Sequence, residues 1–328
     1  MPLFLRSLRR RRPVARGTRG AARGATSAPR LVFASVALLL LPSPAAEAAS
    51  PGRARVLATL ESDQVKESSG LARGLANPGV FWTHNDAGDG PRLYAFGADG
   101  TARGFADVVG PDVRNVDWED LSSFTEDGRP FLLVADTGDN HLRRDVYTLY
   151  VVPEPDLSVA SGSASATPSR TIRFRYEDGS HDCEAAAIDP ASGAAYLVTK
   201  VWSGKAGLYA VACRESTDDE PCRAVAIGTA SLPRATGMDF SADGLRAIVV
   251  TRGDAFEFSR RAEETWPDAF ARKPRRVDLP HRKQGESICY GPDDATLYLT
   301  SECGRKESGP CVPLIEVARE RETSPETR

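Results

Sequence analysis

Glu67-Ser68-Ser69-Gly70-Leu71, followed by Val80-Phe81-Trp82-Thr83 and then Arg92-Leu93-Tyr94-Ala95-Phe96, reads as three short apolar strands separated by polar turns. A glutamate heads the first of them. The same shape returns at Trp118-Glu119-Asp120-Leu121, at Cys183-Glu184-Ala185-Ala186 and at Gly285-Glu286-Ser287-Ile288. It also returns near Thr236, in Ala235-Thr236-Gly237-Met238, with a hydroxyl in the glutamate's place. From Glu67 the intervals are 52, 65, 52 and 50 residues. A period of about fifty residues built only of short strands marks a β-propeller. The first strand of each propeller blade lines the central axis. Glu67, Glu119, Glu184 and Glu286 are therefore sent to one narrow channel, where they repel each other unless a cation sits between them.

The remaining strands fill in around these five. Blade one ends with 102–108, and blade two continues through 131–135, 146–152 and 171–176. Blade three takes 195–199, 207–212 and 224–232, and blade four 246–251, 255–259 and 276–279. Blade five has 296–300 and 313–317 but no outer strand of its own; residues 53–60 can supply it, which removes exposed edges. The fold expected is all-β, a five-bladed β-propeller over residues 50–318, closed by pairing the N-terminal strand with the last blade. Asp127-Gly128 and Asp243-Gly244 fall where hairpin turns are needed. The Ser/Ala/Pro-rich run 156–169 is expected to be a mobile insertion that lengthens one interval. Only 261–273 could form a helix, and its charges read as a solvated face. A β-sandwich is the alternative architecture, and it has no reason to keep a fifty-residue rhythm.

The 328 residues are 41% hydrophobic with a net charge of -3, which suits a globular chain with a full core. That near-neutral total is divided unevenly. Residues 1–30 carry a dense arginine cluster, Arg9 to Arg12 included, and no acid, so the rest is distinctly acidic and unsuited to nucleic acid. The apolar run 31–41 and Ala46-Glu47-Ala48 follow, giving a secretory signal peptide over 1–49 with cleavage near Ala48 or Ala49. An uncleaved anchor is the alternative. The mature protein is expected to be secreted or extracytoplasmic, bacterial and monomeric, to meet the membrane only through its signal peptide, and to end in a disordered polar tail, 319–328. All six cysteines lie in the exported part. Cys213 with Cys222 and Cys303 with Cys311 flank short polar loops that a disulfide could staple, while Cys183 and Cys289 read as buried thiols. With four histidines and no Cys-x-x-Cys pair, a zinc site is not indicated.

In an up-and-down blade, the start of the first strand and the end of the second lie on one face. That rim should gather His84, Asp86, Asp89, Asp136, Asp139, Asn140, His141, Lys200, Arg252 and Glu302 with the axial glutamates. Asp and Asn in turns often bond only their own backbone, and the alternative role of an axial glutamate is as an ion-pair partner of Lys200 or Arg252. Trp118 reads as core, or, beside Glu119, as a pocket wall. The functional reading is a hard cation at the axis. Glu67, Glu119, Glu184 and Glu286, with the hydroxyls of Ser68 or Thr236, offer only oxygen, which suits calcium.

On these inner strands the chain resembles the calcium-activated nucleotidases (apyrases), five-bladed propellers whose axis presents Ser, Glu, Glu, Ser and Glu to calcium. Ser68 or Glu67, then Glu119, Glu184, Thr236 and Glu286, stand at those stations. Over roughly 67–302 it also resembles uncharacterised exported bacterial propellers, through Glu67-Ser-Ser-Gly-Leu, Trp82-Thr-His-Asn-Asp-Ala-Gly-Asp, Trp118-Glu-Asp and His181-Asp-Cys-Glu-Ala. That likeness implies fold and export, without an activity.

Two functions follow. In one, the propeller is a non-catalytic module that holds calcium and uses Asp136, Asp139, Asn140, Trp118 and Glu302 to bind a small polar or anionic ligand, a glycan or a cell-surface protein. In the other it is a calcium-dependent hydrolase of a phosphorylated, ester or glycosidic substrate. There, Lys200 and Arg252 neutralise developing charge and His84 or Asp86 orients the attacking water.

Overall fold

The computed structural model describes residues 53–158, 162–202, 204–212, 220–303 and 309–319, and these are almost entirely β-structure. In chain order the strands are β1 (Arg53–Thr59), β2 (Ser68–Arg73), β3 (Val80–Asn85), β4 (Arg92–Gly97), β5 (Ala102–Val108), β6 (Trp118–Glu126) and β7 (Arg129–Asp136). Next come β8 (Tyr147–Pro153), β9 (Ser163–Ala166), β10 (Arg170–Tyr176), β11 (Cys183–Ile188), β12 (Ala195–Thr199), β13 (Ala206–Val211) and β14 (Cys222–Ala230). The last are β15 (Ala235–Phe240), β16 (Arg246–Thr251), β17 (Ala255–Ser259), β18 (Arg275–Val277), β19 (Gly285–Tyr290), β20 (Leu297–Ser301) and β21 (Pro313–Ala318).

They form four sheets: β2-β3-β4-β5-β9, an eight-stranded sheet β11-β12-β13-β14-β10-β8-β7-β6, β15-β16-β17-β18, and β1-β21-β20-β19. The eight-stranded sheet is two antiparallel meanders joined edge to edge, where β10 pairs in parallel with β14 through Phe174 opposite Cys222. Strands β2, β6, β11, β15 and β19 pack against one another in that cyclic order, and β19 returns to β2. This ring, with the sheets radiating from it, is a β-propeller. The N-terminal strand closes it as expected: β1 runs antiparallel to β21, Arg53 opposite Ala318 and Thr59 opposite Pro313.

The sequence accounts for the radial order. Inner strands are enclosed on both faces: β11, β15 and β19 are buried at every position, and β11 is built of small residues, Ala185-Ala186-Ala187. An outer strand such as β14 buries only scattered positions. Glycine lets the inner strands converge. A Cβ on Gly70 would stand 2.5 Å from the Leu121 amide, and one on Gly237 would stand 2.8 Å from the Glu286 carbonyl. Between the sheets lie layers of aromatic and aliphatic side chains, such as Trp82, Trp118, Leu121 and Tyr150 on one side and Tyr147, Phe174 and Tyr176 on another.

Two sequence expectations change. The run 156–169 is more than an insertion: its Ser163–Ala166 segment adds β9 as a fifth strand, parallel to β5. The helix is only Trp266–Phe270, capped by Thr265, whose hydroxyl accepts the Asp268 amide hydrogen. Trp266, Ala269 and Phe270 are buried, so this segment packs a core face as well as exposing charge. Among the described residues no helix is long and apolar enough to cross a membrane. The signal segment 1–49 lies outside the described residues.

Candidate functional site

Every inner strand carries a β-bulge near its start, and the irregularities fall at the same place. Register shifts lie between Ser68 and Gly70, Trp118 and Asp120, Cys183 and Ala185, Ala235 and Gly237, and Gly285 and Ile288. The residues inside the first four are Ser69, Glu119, Glu184 and Thr236, and Glu286 lies inside the fifth. A bulge leaves its extra residue unpaired and re-aims its side chain. Four of the five, Ser69, Glu119, Glu184 and Glu286, line a single cavity of about 780 Å³. The segments just after the second strands complete its wall with Asp86, Asn140, Lys200, Arg252 and Glu302, together with Lys66, Glu67 and Gln284. Of the rim predicted from blade geometry, Asp86, Asn140, Lys200, Arg252 and Glu302 line the cavity with the four glutamates, and Asp89 and His141 do not.

Carboxylates crowd one side of this cavity. Oxygens of Asp86, Asp117 and Glu119 lie within 4.8 Å of one another, and so do oxygens of Glu119, Asp182 and Glu184. Glu119 belongs to both sets. It is 3% exposed and has no hydrogen bond or ion pair among the described residues. Burial, then the charges of Asp86 and Asp117, hold its carboxyl well above the usual range. Burial likewise pushes Asp117 up to about 7, helped by Asp86 and Asp182. Gly138 makes this packing possible, since a Cβ there would lie 2.3 Å from Glu119 Oε1 and 2.4 Å from Asp117 Oδ2. In the same cavity, burial raises Glu302 to about 7, with Glu286, Asp86 and Glu67 adding to it.

The positive groups are already engaged. The Lys200 ammonium pairs with Glu184, Arg252 stands 3.4 Å from Glu286 Oε1, and Lys66 donates to the Gly309 carbonyl at 2.7 Å. Glu302 accepts a hydrogen bond from the Gln284 amide.

Other expected site residues lie elsewhere. His84 is fully buried and faces no solvent: its ring stands edge-on to Trp118 at 5.5 Å, and Nδ1 lies 2.9 Å from the Asn85 carbonyl. Burial lowers its basicity, and without solvent contact it packs the core and is a poor orienter of water. Trp118 is core, its indole N–H donating to the Arg114 carbonyl at 2.9 Å. Asp136 is bound by Arg144 at 2.7 Å and accepts the amides of Val116 and Asp117. Asp139 accepts the amides of Arg143 and Arg144 and the Tyr147 hydroxyl. Both aspartates fold the loop above the cavity and do not line it. Ser68 gives its place on the wall to Ser69, because its hydroxyl bonds Thr83 at 2.7 Å and Thr300 at 2.8 Å. The Thr236 hydroxyl donates to the Gly285 carbonyl at 3.1 Å.

Sequence reading missed Asp117 and Asp182. A signal was available: each stands two positions before an axial glutamate, as Gln284 stands before Glu286. Glu67 occupies that outer station relative to Ser69, so counting from Glu67 set the first repeat two residues early. Of the cysteine expectations, Cys303–Cys311 is a disulfide, and Cys183 and Cys289 are buried free thiols. Cys213 lies outside the described residues.

The sequence matches no protein-family model and no curated protein. Several solved structures are similar in shape. One, a nidogen/laminin complex, shares 14% identity at a TM-score of 0.40 over 72% of this chain and 73% of its own. The Dos1 propeller shares 8% at 0.36, over 77% and 68%. A gluconolactonase from Xanthomonas campestris shares 12% at 0.40, over 81% and 90%. Likenesses this distant say nothing about activity.

Proposed function

We propose that this chain is an exported five-bladed propeller that holds a divalent cation, calcium by its donor chemistry, in the axial cavity and binds a polar or anionic ligand at the cavity mouth. Asp86, Asp117 and Glu119 would hold the ion. These are hard oxygen donors without nitrogen or sulfur, and a cation among them would relieve the mutual repulsion that burial magnifies. The observation that carries the reading is Glu119, a carboxylate 3% exposed, lacking a partner among the described residues, and faced by further carboxylates. A buried charge left unpaired is costly, so its position calls for a positive counterpart. The bulge order Ser69, Glu119, Glu184, Thr236, Glu286 follows the order expected from the likeness to the calcium-activated nucleotidases at four stations, with Ser69 at the first in place of the expected Ser68 or Glu67. Bound calcium would give a ligand oxygen a positive partner, with Lys200, Arg252, Asn140 and Gln284 as further polar contacts lining the same cavity. Partners would then be a small anion, a glycan or an exposed protein group. Millimolar calcium should raise the melting temperature, because a ligand bound only by the native state stabilises it by mass action. An unchanged melting curve in calcium, compared with chelator, would remove the reading.

A second reading, hydrolysis, is favoured by Glu302. Raised to about 7 and lining the same cavity, it is suited to move a proton at neutral pH. Under that reading Glu302→Gln lowers chelator-sensitive turnover of phosphate, ester or glycoside substrates while leaving calcium-induced stabilisation intact. A panel of such substrates giving no turnover supports the binding role instead.

A further inference from the structure

We propose that Glu119, Asp182 and Glu184 form a second divalent-cation site, which adjoins the first through Glu119 and is held in the metal-free protein by the ammonium of Lys200. This rests on the reading of an axial cation site given above. The structure already seats a cation in this triad: Lys200 pairs with Glu184, with side chains only 12% and 6% exposed. The other positive groups of the wall are committed elsewhere, Arg252 to Glu286 and Lys66 to the Gly309 carbonyl. One ammonium therefore faces three carboxylates. Asp182 is fixed by the Asp139 amide, which donates to its Oδ1 at 2.8 Å and leaves Oδ2 for an ion. Glu119 brings the independent requirement, since it is buried, unpartnered among the described residues, and within reach of both triads.

A divalent ion neutralises such a triad better than a single ammonium, and the flexible four-carbon stem of lysine lets the head group withdraw without moving the backbone. Two ions sharing a carboxylate is an arrangement that metal sites use to clamp an oxyanion from two sides. Withdrawal would also leave the Lys200 charge in the cavity, where an anion can meet it. Filling of the second site and capture of an anionic ligand are thus coupled through one side chain.

Calcium titration by calorimetry of the mature chain, wild type beside Lys200→Met, reads the proposal directly. The wild type should bind one ion strongly and a second weakly, and K200M should strengthen the second event at least about tenfold, roughly the change expected when one close charge is removed. Asp182→Asn in the K200M background should cancel that gain. Unchanged stoichiometry and affinity in K200M overturn the proposal, and so does loss of binding in a folded K200M protein. If neither protein binds calcium, the axial reading falls and this one with it. If only K200M binds, the axial reading falls and the lysine-blocked site stands. Should K200M fail to fold, saturating manganese on the wild type decides. Two spin-coupled ions by electron paramagnetic resonance are expected, and a spectrum of isolated ions at every loading overturns the site.

Discussion

Glu119 concentrates the chemistry of this molecule in one side chain. It sits in a bulge, makes no hydrogen bond or ion pair among the described residues and lies within oxygen-to-oxygen range of four other carboxylates. Burial and its acidic neighbours raise its pKa, so in metal-free protein the ionised form weakens the fold. Glu119→Gln keeps the shape and removes the charge. Its melting temperature in chelator at pH 8 should exceed that of the wild type, while the calcium-induced rise should vanish. A wild-type calcium shift in E119Q would show that the ion lies elsewhere. Gly138→Ala approaches the same point from outside, since its Cβ would collide with the Glu119 and Asp117 oxygens. It should weaken calcium binding and cost about 1–3 kcal/mol, the usual penalty of overpacking, read from urea unfolding. At this scale the sequence was legible where the repeat marks a residue. Glu119, Glu184 and Glu286 announce themselves by spacing, and Lys200, Arg252, Asn140 and Glu302 by their place after second strands. His84, Asp136 and Asp139 misled because a polar residue near a strand end can serve loop or core as readily as cavity. Only the direction of the side chain distinguishes these roles.

At the scale of the element, the bulge does what strand propensity cannot. Regular pairing would alternate the inner strand strictly, whereas the bulge frees one residue to face the cavity and returns the next to the packed interior. Asp120, immediately after Glu119, shows the second half of that device. Its fully buried carboxylate accepts the amides of Leu121, Ala186 and Met238, all at 2.8 Å, and so ties β6 to β11 and β15. Asp239 does the same between β15 and β19, accepting the Tyr290 amide at 2.8 Å. Removing the Asp120 acceptor orphans three buried donors, each costing about 1–3 kcal/mol. Asp120→Ala should therefore lose about 3 kcal/mol or more in urea unfolding, more than Asp239→Ala. A loss below about 1 kcal/mol would mean that water replaces the carboxylate. Strand positions and hairpins such as Asp127-Gly128, with φ of 49° and 73°, were readable from alternation and turn residues. The bulges, the added β9 and the parallel β10–β14 seam were not, because register and edge partners depend on residues distant in the chain.

For the whole molecule, closure and charge act together. The pairing of β1 with β21 seals the ring, and Arg319, just beyond β21, clasps Glu257 of β17 at 2.8 Å beside Arg275. The ring so closed forces the carboxylates inward, and its stability should depend on pH in a way that metal reverses. Asp117, with an ordinary value of 3.8, and Glu302, with 4.5, are both raised to about 7 in the folded protein. Between their ordinary values and about 7, the metal-free native state binds more protons than the unfolded chain, so its stability falls as pH rises through that window. Calcium binds the ionised carboxylates and competes with those protons, so its affinity should rise over the same window. The melting temperature in chelator should thus drop from about pH 5.5 to about pH 8, while the increment added by calcium grows, the two curves diverging with alkalinity. Scanning calorimetry at several pH values tests both slopes at once. A calcium increment that stays constant across that range would mean that the ion avoids Asp117, and a metal-free curve that rises with pH would mean that these carboxylates are paired in solution.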